Sequence, residues 1–161
     1  MKRTVTEALA AWELNLPTQL SPDQGLINQT WIVGSSSADD SNDTPFGILQ
    51  WVNPIFDPMI HTDLRAVLSH LKSLNALTPE LVALPDGSNM LLDTEGCWRL
   101  WSFIPGRTIH TITSPEQAYG AGKILGTFHA QLSTLQHHFV APRRDIHNTP
   151  QRMMDLENAL A

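Results

Sequence analysis

The sequence predicts an α+β fold in which an antiparallel sheet of about five strands packs against a helix and is followed by further helices. Short apolar runs rich in Ile, Val and Trp, separated by turn-forming residues, indicate strands. Three longer segments, 4–14, 57–75 and 114–135, carry apolar residues at helical spacing. The chain has 161 residues, 42% of them hydrophobic, which is enough to bury a core.

The chain begins with a helix and two strands. Segment 4–14 contains good helix formers, and Pro17 ends its pattern. Segment 24–33 changes to β-forming residues after a turn, so it is predicted to be a loop that leads into a strand. Segment 46–52 is predicted as a second strand, and the Ser-, Asp- and Asn-rich residues 34–45 as an exposed, flexible hairpin connection.

A helix and three further β segments follow. Asp57 is a good N-cap and Pro58 suits the first helical position, so a helix is expected from here to about Asn75. Three apolar runs separated by turn formers are then predicted to make an antiparallel meander, at 81–84, 90–93 and 97–104.

Two helices complete the predicted order. Ser114 is expected to cap a helix over 114–135, with Gln117 completing a capping box. The helix has an apolar face and three glycines that would admit another backbone, which predicts burial between two layers. These residues are Ala118, Ala121, Leu125, Phe128 and Leu132, with Gly120, Gly122 and Gly126. A last helix is predicted over 151–160.

Composition argues against several classes of function. The net charge is −6 and no cluster of Lys and Arg offers a hold on a phosphate backbone, so nucleic acid is not an expected partner. No stretch approaches the roughly 20 apolar residues of a membrane span, so no membrane association is expected. Cys97 is the only cysteine, which excludes an internal disulfide and fits a reducing, cytoplasmic location.

Local motifs indicate neither metal binding nor nucleophilic catalysis. The seven histidines form no HExxH pattern, and no G-x-S-x-G elbow is present. Segment 144–148 loosely resembles a kinase catalytic loop, but Asn148 follows Asp145 too closely to hold a metal ion as that loop requires. The glycine turn at 25–30 could bring backbone amides to a phosphate, and a simple hairpin corner would have the same pattern.

Several motifs stand in a fixed order along residues 20–156. They are Gly25-x-Ile27-Asn28-x-Thr30, Ile48-Leu49-Gln50-x-Val52-Asn53-Pro54-Ile55-Phe56, Trp98-Arg99-Leu100-x-x-Phe103-Ile104-Pro105-Gly106-Arg107-Thr108, Ser114-Pro115-Glu116-Gln117-Ala118-Tyr119, and Phe128-His129 followed by His147-Asn148-Thr149-Pro150. Together they resemble the aminoglycoside phosphotransferase and choline kinase superfamily, in the branch of N-acetylhexosamine 1-kinase. The resemblance implies a protein-kinase-like small lobe over 1–105 and the first helices of a second lobe over 106–161.

The resemblance also implies where a nucleotide would bind. The loop over the ATP phosphates would consist of Gly25, Asn28, Gln29 and Thr30. The adenine linker would consist of Ser102, Phe103, Ile104 and Gly106. The family's phosphate-contacting Lys or Arg corresponds to Trp51, and its partner acid corresponds to Thr62 or Asp63, so this ion pair is expected to be altered.

The activity that the resemblance implies is phosphoryl transfer from ATP, with Mg²⁺, to the hydroxyl of a sugar or an amino alcohol. The family's catalytic Asp and its metal ligands correspond to positions after Ala161, so no catalytic or metal-binding residue is assigned, and the chain as given is expected to be catalytically incomplete. The alternative is a pseudokinase-like remnant, a non-catalytic nucleotide-binding or protein-interaction module that self-associates through the apolar faces of 113–135 and 151–160.

Overall fold

The computed structural model describes residues 2–22, 25–34, 44–106, 109–141 and 148–160. In chain order its elements are α1 (Val5–Ala10), β1 (Thr18–Leu20), β2 (Gln29–Val33), β3 (Gly47–Val52), α2 (Ile60–Ser73), β4 (Leu91–Asp93), β5 (Gly96–Ser102), α3 (Pro115–Leu132) and α4 (Thr149–Leu160). The strands form one antiparallel five-stranded sheet. The predicted fold class, a small α+β lobe followed by helices, is confirmed.

Helix α1 is shorter than the predicted segment 4–14. It begins with a capping box, in which Thr4 Oγ1 accepts from the Glu7 N–H at 3.3 Å and Glu7 Oε2 accepts from the Thr4 N–H at 2.8 Å. After the helix, Glu13 adopts φ 57° and the Leu14 N–H donates to the Leu9 carbonyl at 3.2 Å. This Schellman-type ending turns the chain back and stops the regular helix at Ala10.

Helix α2 lies inside its predicted range. Asp57 acts as a cap, since its Oδ1 accepts from the Met59 N–H at 2.8 Å, but a tight turn comes first and the regular helix begins at Ile60. Asn75, with φ 55°, ends the helix in the same way that Glu13 ends α1.

The sheet corrects two predictions about the strands. Its order is β1-β2-β3-β5-β4, and the edge strand β1 was not predicted because three residues give no periodic signal. Segment 81–84, predicted as a strand, makes a single bridge between Leu81 and Trp101. The chain turns tightly right after it, since the Leu84 N–H donates to the Ser88 carbonyl and the Gly87 N–H to the Leu84 carbonyl, both at 2.8 Å. The predicted three-stranded meander is therefore wrong, and β4 and β5 form a hairpin.

The strand register gives the sheet two faces, because residues directly opposite on neighbouring strands share a face and successive residues alternate. We define the α1 face by Trp31, Leu49, Trp51, Trp98 and Leu100, and the second face by Thr30, Ile48, Gln50, Val52, Cys97, Arg99 and Trp101.

The hydrophobic core lies between α1 and the α1 face. Its buried members are Ala8, Leu9, Trp12, Val33, Leu49, Leu84, Trp98 and Leu100. Trp98 is 1% exposed, and its ring lies 5.4 Å from that of Trp31. The Trp12 indole N–H donates to the Val82 carbonyl at 2.9 Å, which satisfies this buried polar group. This packing holds the strands rigidly, and with them the residues of the second face.

Asp93 ties the N-terminal segment to the end of β4. Its Oδ2 accepts from the Arg3 N–H at 2.8 Å and from the Trp98 indole N–H at 3.0 Å, and its Oδ1 accepts from the Thr94 N–H at 2.7 Å. Burial by itself raises the pKa of Asp93, but these hydrogen bonds and the charge of Arg3 outweigh it and lower the pKa to about 2. The ionised carboxylate is therefore part of the fold.

Asp63 joins α2 to the segment that follows α3. Its side chain is buried, and its Oδ1 accepts from His137 Nε2 at 2.8 Å and from the Val140 N–H at 3.0 Å. Its Oδ2 accepts from the Ala141 N–H at 3.0 Å. Burial by itself raises the pKa of Asp63, but the hydrogen bonds outweigh it, and the pKa lies below its ordinary value.

The apolar face of α3 is exposed, and the prediction that it is buried is wrong. Ile124 is 74% exposed, Leu125 55% and Phe128 40%. A methyl group on Gly120, Gly122 or Gly126 would meet no atom within 4 Å, so no described backbone approaches these glycines. The helix contacts α2 on one side, and within the described ranges no second layer covers the other. None of the described helices is both long and apolar enough to cross a bilayer.

Candidate functional site

Three polar side chains form a row across the middle of the second face. Thr30, Gln50 and Arg99 lie directly opposite one another on β2, β3 and β5. Gln50 Nε2 donates to Thr30 Oγ1 at 3.3 Å, and Gln50 Oε1 accepts from Arg99 Nε at 2.9 Å and from Arg99 Nη2 at 2.6 Å. The row is a connected chain of hydrogen bonds that ends in a guanidinium.

Arg99 is a half-buried cation that makes no ion pair with an acidic residue in the described part of the chain. Burial lowers its pKa, but an arginine stays charged in a protein. The Trp101 ring centre lies 4.9 Å from Cζ, a cation–π contact. The guanidinium has further N–H donors that Gln50 does not engage. These properties suit the binding of an anion such as phosphate.

His61 lies in the first turn of α2. It is 4% exposed, and its Nδ1 lies 3.0 Å from the Pro58 carbonyl. Burial lowers the pKa of His61, the hydrogen bond to Pro58 opposes that shift, and the charge of Arg99 adds to it.

The segment after β5 was predicted to be the adenine linker. The Ser102 N–H donates to the Glu80 carbonyl and Ser102 Oγ accepts from the Glu80 N–H, both at 2.8 Å, so Ser102 is engaged. Phe103 and Ile104 are half-buried and form no backbone hydrogen bond with a described residue. They offer donors and acceptors at fixed spacing, as an adenine ring requires. Gly106 is exposed at the end of this linker.

The residues of the predicted phosphate loop do not act as one unit. Asn28 Oδ1 accepts from the Asn53 N–H at 3.0 Å, which ties the loop to the end of β3. Gln29 Oε1 accepts from Lys2 Nζ at 2.9 Å. Of the four predicted loop residues, Thr30 is the one that joins the row with Arg99.

Gly25 does not occupy a position that geometry reserves for glycine. A methyl group there would lie 3.7 Å from the Asn28 carbonyl oxygen, which is ordinary contact. Residues 25–29 line a cleft of about 370 Å³ together with Leu20 and Trp31. Because Trp31 belongs to the α1 face, this cleft lies on that side of β2, away from Arg99.

Trp51 lies on the α1 face, so the structure does not bring it together with Arg99. Its ring centre is 3.7 Å from Lys2 Nζ. The residue of β3 that faces Arg99 is its neighbour Gln50. Asp63, predicted as a possible partner acid, binds His137 and the segment 140–141 instead of a cation on β3.

The described residues supply no cluster of three His, Cys, Asp or Glu side chains that could hold a metal ion. The Mg²⁺ that the resemblance implies therefore finds no ligand set among them. Of the segment that resembles a catalytic loop, residues 144–147 lie outside the described ranges, as does Arg143. Asn148 has a structural role, because its Oδ1 accepts from the Gln151 N–H at 3.2 Å at the start of α4.

Gln50 and Arg99 were not among the predicted site residues. The signal was present in the alternation of β3, where Leu49 and Trp51 are apolar and Gln50 between them is polar. Pairing Gln50 with Arg99 required the register of β3 with β5, which local sequence does not contain.

Comparison with known proteins assigns no family. No protein-family model matches the chain, and no curated protein is significantly similar to it.

Proposed function

We propose that this chain is the nucleotide-binding lobe of an ATP-dependent kinase that phosphorylates a hydroxyl group of a sugar or an amino alcohol. The order of elements and the motif resemblance support this proposal. The observation that carries it is Arg99, a half-buried cation with spare donors on the strand that leads into the linker. We also place the protein in the cytoplasm, because its one cysteine is free and buried.

In this proposal the adenine ring pairs with the backbone of Phe103 and Ile104, and the phosphates extend along the second face. Arg99 precedes Phe103 by four residues on an extended strand, a distance of roughly 13 Å. Arg99 then supplies the positive charge that the β3 position lacks, with Gln50 and Trp101 holding its guanidinium in place. Thr30 adds a hydroxyl at the other end of the row. The described residues give no ligand cluster for Mg²⁺.

The proposal predicts that Arg99→Gln weakens ATP binding roughly tenfold to a hundredfold, because a charge-assisted hydrogen bond to phosphate is lost. Adenosine has no phosphate, so its affinity is expected to stay the same. Isothermal titration of the full chain with MgATP and with adenosine measures both values, and circular dichroism verifies that the variant is folded.

The exposed arginine of α4 provides a matched control. Arg152→Gln removes the same charge at an exposed site that pairs with Asp155 within α4, and it is expected to leave both affinities unchanged, whereas Arg99→Lys should retain much of the ATP affinity. If Arg99→Gln lost as much affinity for adenosine as for ATP, the proposal that Arg99 binds the phosphates would be contradicted. Absence of any ATP binding by the unmodified chain would rule out the nucleotide-binding function and leave the fold unaffected.

A second candidate function is self-association through α3, favoured by the exposure of its apolar face. Ile124, Leu125 and Phe128 lie in sequence neighbourhood on one exposed helix, and burying them against a second copy of the chain would remove apolar surface from water.

Sedimentation velocity is expected to detect a dimer. The Leu125→Glu, Phe128→Glu double variant should raise the dissociation constant of this dimer roughly tenfold or more, since a charge buried at an apolar interface is costly. Met153→Glu places a charge on an exposed apolar site of α4 and serves as the control. A monomer at every concentration in the unmodified chain would eliminate this candidate.

A further inference from the structure

A cleft of about 750 Å³ lies between the start of α2 and the segment before β4. One wall carries His61 and Arg65 of α2, and the other carries Leu84, Asp86, Met90 and Leu91. This volume is in the range of pockets that hold small molecules. It lies at the β4 edge of the sheet and contains none of the residues assigned to the nucleotide.

His61 brings an unsatisfied hydrogen-bond acceptor to this cleft. Because the Pro58 carbonyl can only accept, His61 Nδ1 must carry the proton, and the neutral ring leaves Nε2 as an acceptor. His61 Nε2 is buried and has no hydrogen-bond partner among the described residues. A buried polar atom of this kind is costly unless a bound molecule satisfies it, so a ligand at this wall should present an N–H or O–H donor.

Two opposite charges complete the lining. Arg65 is exposed and forms no ion pair with a described residue. Asp86 on the opposite wall is held by Ser88, whose N–H and Oγ–H donate to Asp86 Oδ1 at 2.8 and 2.7 Å. These hydrogen bonds lower the pKa of Asp86 and keep it ionised. Its Oδ2 makes no hydrogen bond with a described residue and can accept one.

We propose that this cleft binds a small zwitterion with an apolar side chain, that is, an apolar amino acid or a short apolar peptide. The ammonium group donates to His61 Nε2 and is attracted by Asp86. The carboxylate is bound by Arg65. The side chain packs against Leu84, Met90 and Leu91. The three features of such a molecule match the acceptor, the charge pair and the apolar surface, whereas an anion or a cation alone would meet one unfavourable charge.

The test uses L-phenylalanine as the probe, with L-phenylalaninamide, which lacks the carboxylate, and N-acetyl-L-phenylalanine, which lacks the ammonium. Titration of the ¹⁵N-labelled full chain, followed by NMR, is expected to show saturable shifts at residues of the cleft and at His61 Nε2. Each analogue is expected to bind roughly fivefold more weakly than L-phenylalanine, the effect of one partly exposed charge contact.

Variants of the two exposed charged residues separate the contacts without disturbing the core. Arg65→Gln should lower the affinity for L-phenylalanine roughly fivefold and leave the affinity for L-phenylalaninamide unchanged. Asp86→Asn should also lower the affinity for L-phenylalanine roughly fivefold, and it should leave the affinity for N-acetyl-L-phenylalanine unchanged. Arg152→Gln is the control and should bind L-phenylalanine as the unmodified chain does. Absence of saturable shifts at millimolar L-phenylalanine would overturn the proposal, and so would variants Arg65→Gln and Asp86→Asn that bind L-phenylalanine as tightly as the unmodified chain does. ATP binding is measured separately, so either function can fail without the other.

Discussion

The Trp98→Ala variant is expected to lose about 3–5 kcal/mol of unfolding free energy, the usual cost of truncating a large buried aromatic residue. Trp98 is 1% exposed and lies in the core between α1 and the α1 face. Its removal leaves a cavity, removes the contact with Trp31 and breaks the hydrogen bond that its indole donates to Asp93. Urea unfolding followed by circular dichroism measures the loss.

Trp101→Ala provides the matched control, because the same truncation is made on the same strand but on the second face. Trp101 is half-buried, so its replacement is expected to cost about 1–2 kcal/mol, less than that of Trp98. If Trp101→Ala were the more destabilising of the two, the assignment of the core to the α1 face would be wrong. Trp98→Phe retains an aromatic ring but loses the indole N–H, so its loss of unfolding free energy should lie between those of Trp98→Ala and Trp101→Ala. It also allows the effect to be measured on a folded protein if Trp98→Ala does not fold.

The helices were predictable because their signals are local. Ser114 does cap α3, since its Oγ accepts from the Gln117 N–H at 3.3 Å. The other half of the predicted capping box is shifted by one residue, because Gln117 Oε1 accepts from the Thr113 N–H at 2.9 Å and not from Ser114. Errors at the helix ends arose where a residue entered the left-handed region, as Glu13 does, which the amino-acid type does not indicate.

The sheet was predictable in class but not in detail, because a strand is defined by its partner. Segment 81–84 is as apolar as a strand, yet the turn at Leu84 leaves it one bridge with β5. The burial of α3 was predicted from its apolar face, but an amphipathic pattern states which side can be covered and not what covers it. Both errors have the same origin, since non-local contacts decide whether a segment pairs as a strand and whether a helix face is covered.

The candidate site likewise combines features set by local sequence with features set by non-local contacts. The linker at Ser102–Gly106 was predicted from a motif that lies in one stretch of sequence, and it stays a prediction; Phe103 and Ile104 form no backbone hydrogen bond with a described residue. The row of Thr30, Gln50 and Arg99 was missed because its members come from three strands and meet through their register. The charge that faces β3 comes from Arg99, which lies opposite Gln50 and not opposite Trp51.

Replacing Asp93 by asparagine is expected to lower the unfolding free energy by about 2 kcal/mol at neutral pH, the value of a carboxylate whose pKa falls from 3.8 to about 2 on folding. The ionised carboxylate stabilises the folded state, because its pKa is lower there and the folded state binds the proton less readily than the unfolded state. The stabilisation is present above about pH 4 and is lost as the pH falls towards about 2.

Urea unfolding of the unmodified chain and of Asp93→Asn, repeated between neutral and acidic pH, tests this pH dependence. The two proteins should differ most at neutral pH and converge as the pH approaches 2, since the carboxylate of the unmodified chain is then protonated. Asp155→Asn removes a carboxylate that is 48% exposed and pairs with Arg152 within α4, so it should change stability little at any pH. A difference between the unmodified chain and Asp93→Asn that stays constant with pH would show that the charge of Asp93 does not hold the N-terminal segment. The stability difference would then come from the geometry of the hydrogen bonds to Arg3, Thr94 and Trp98, independently of the charge.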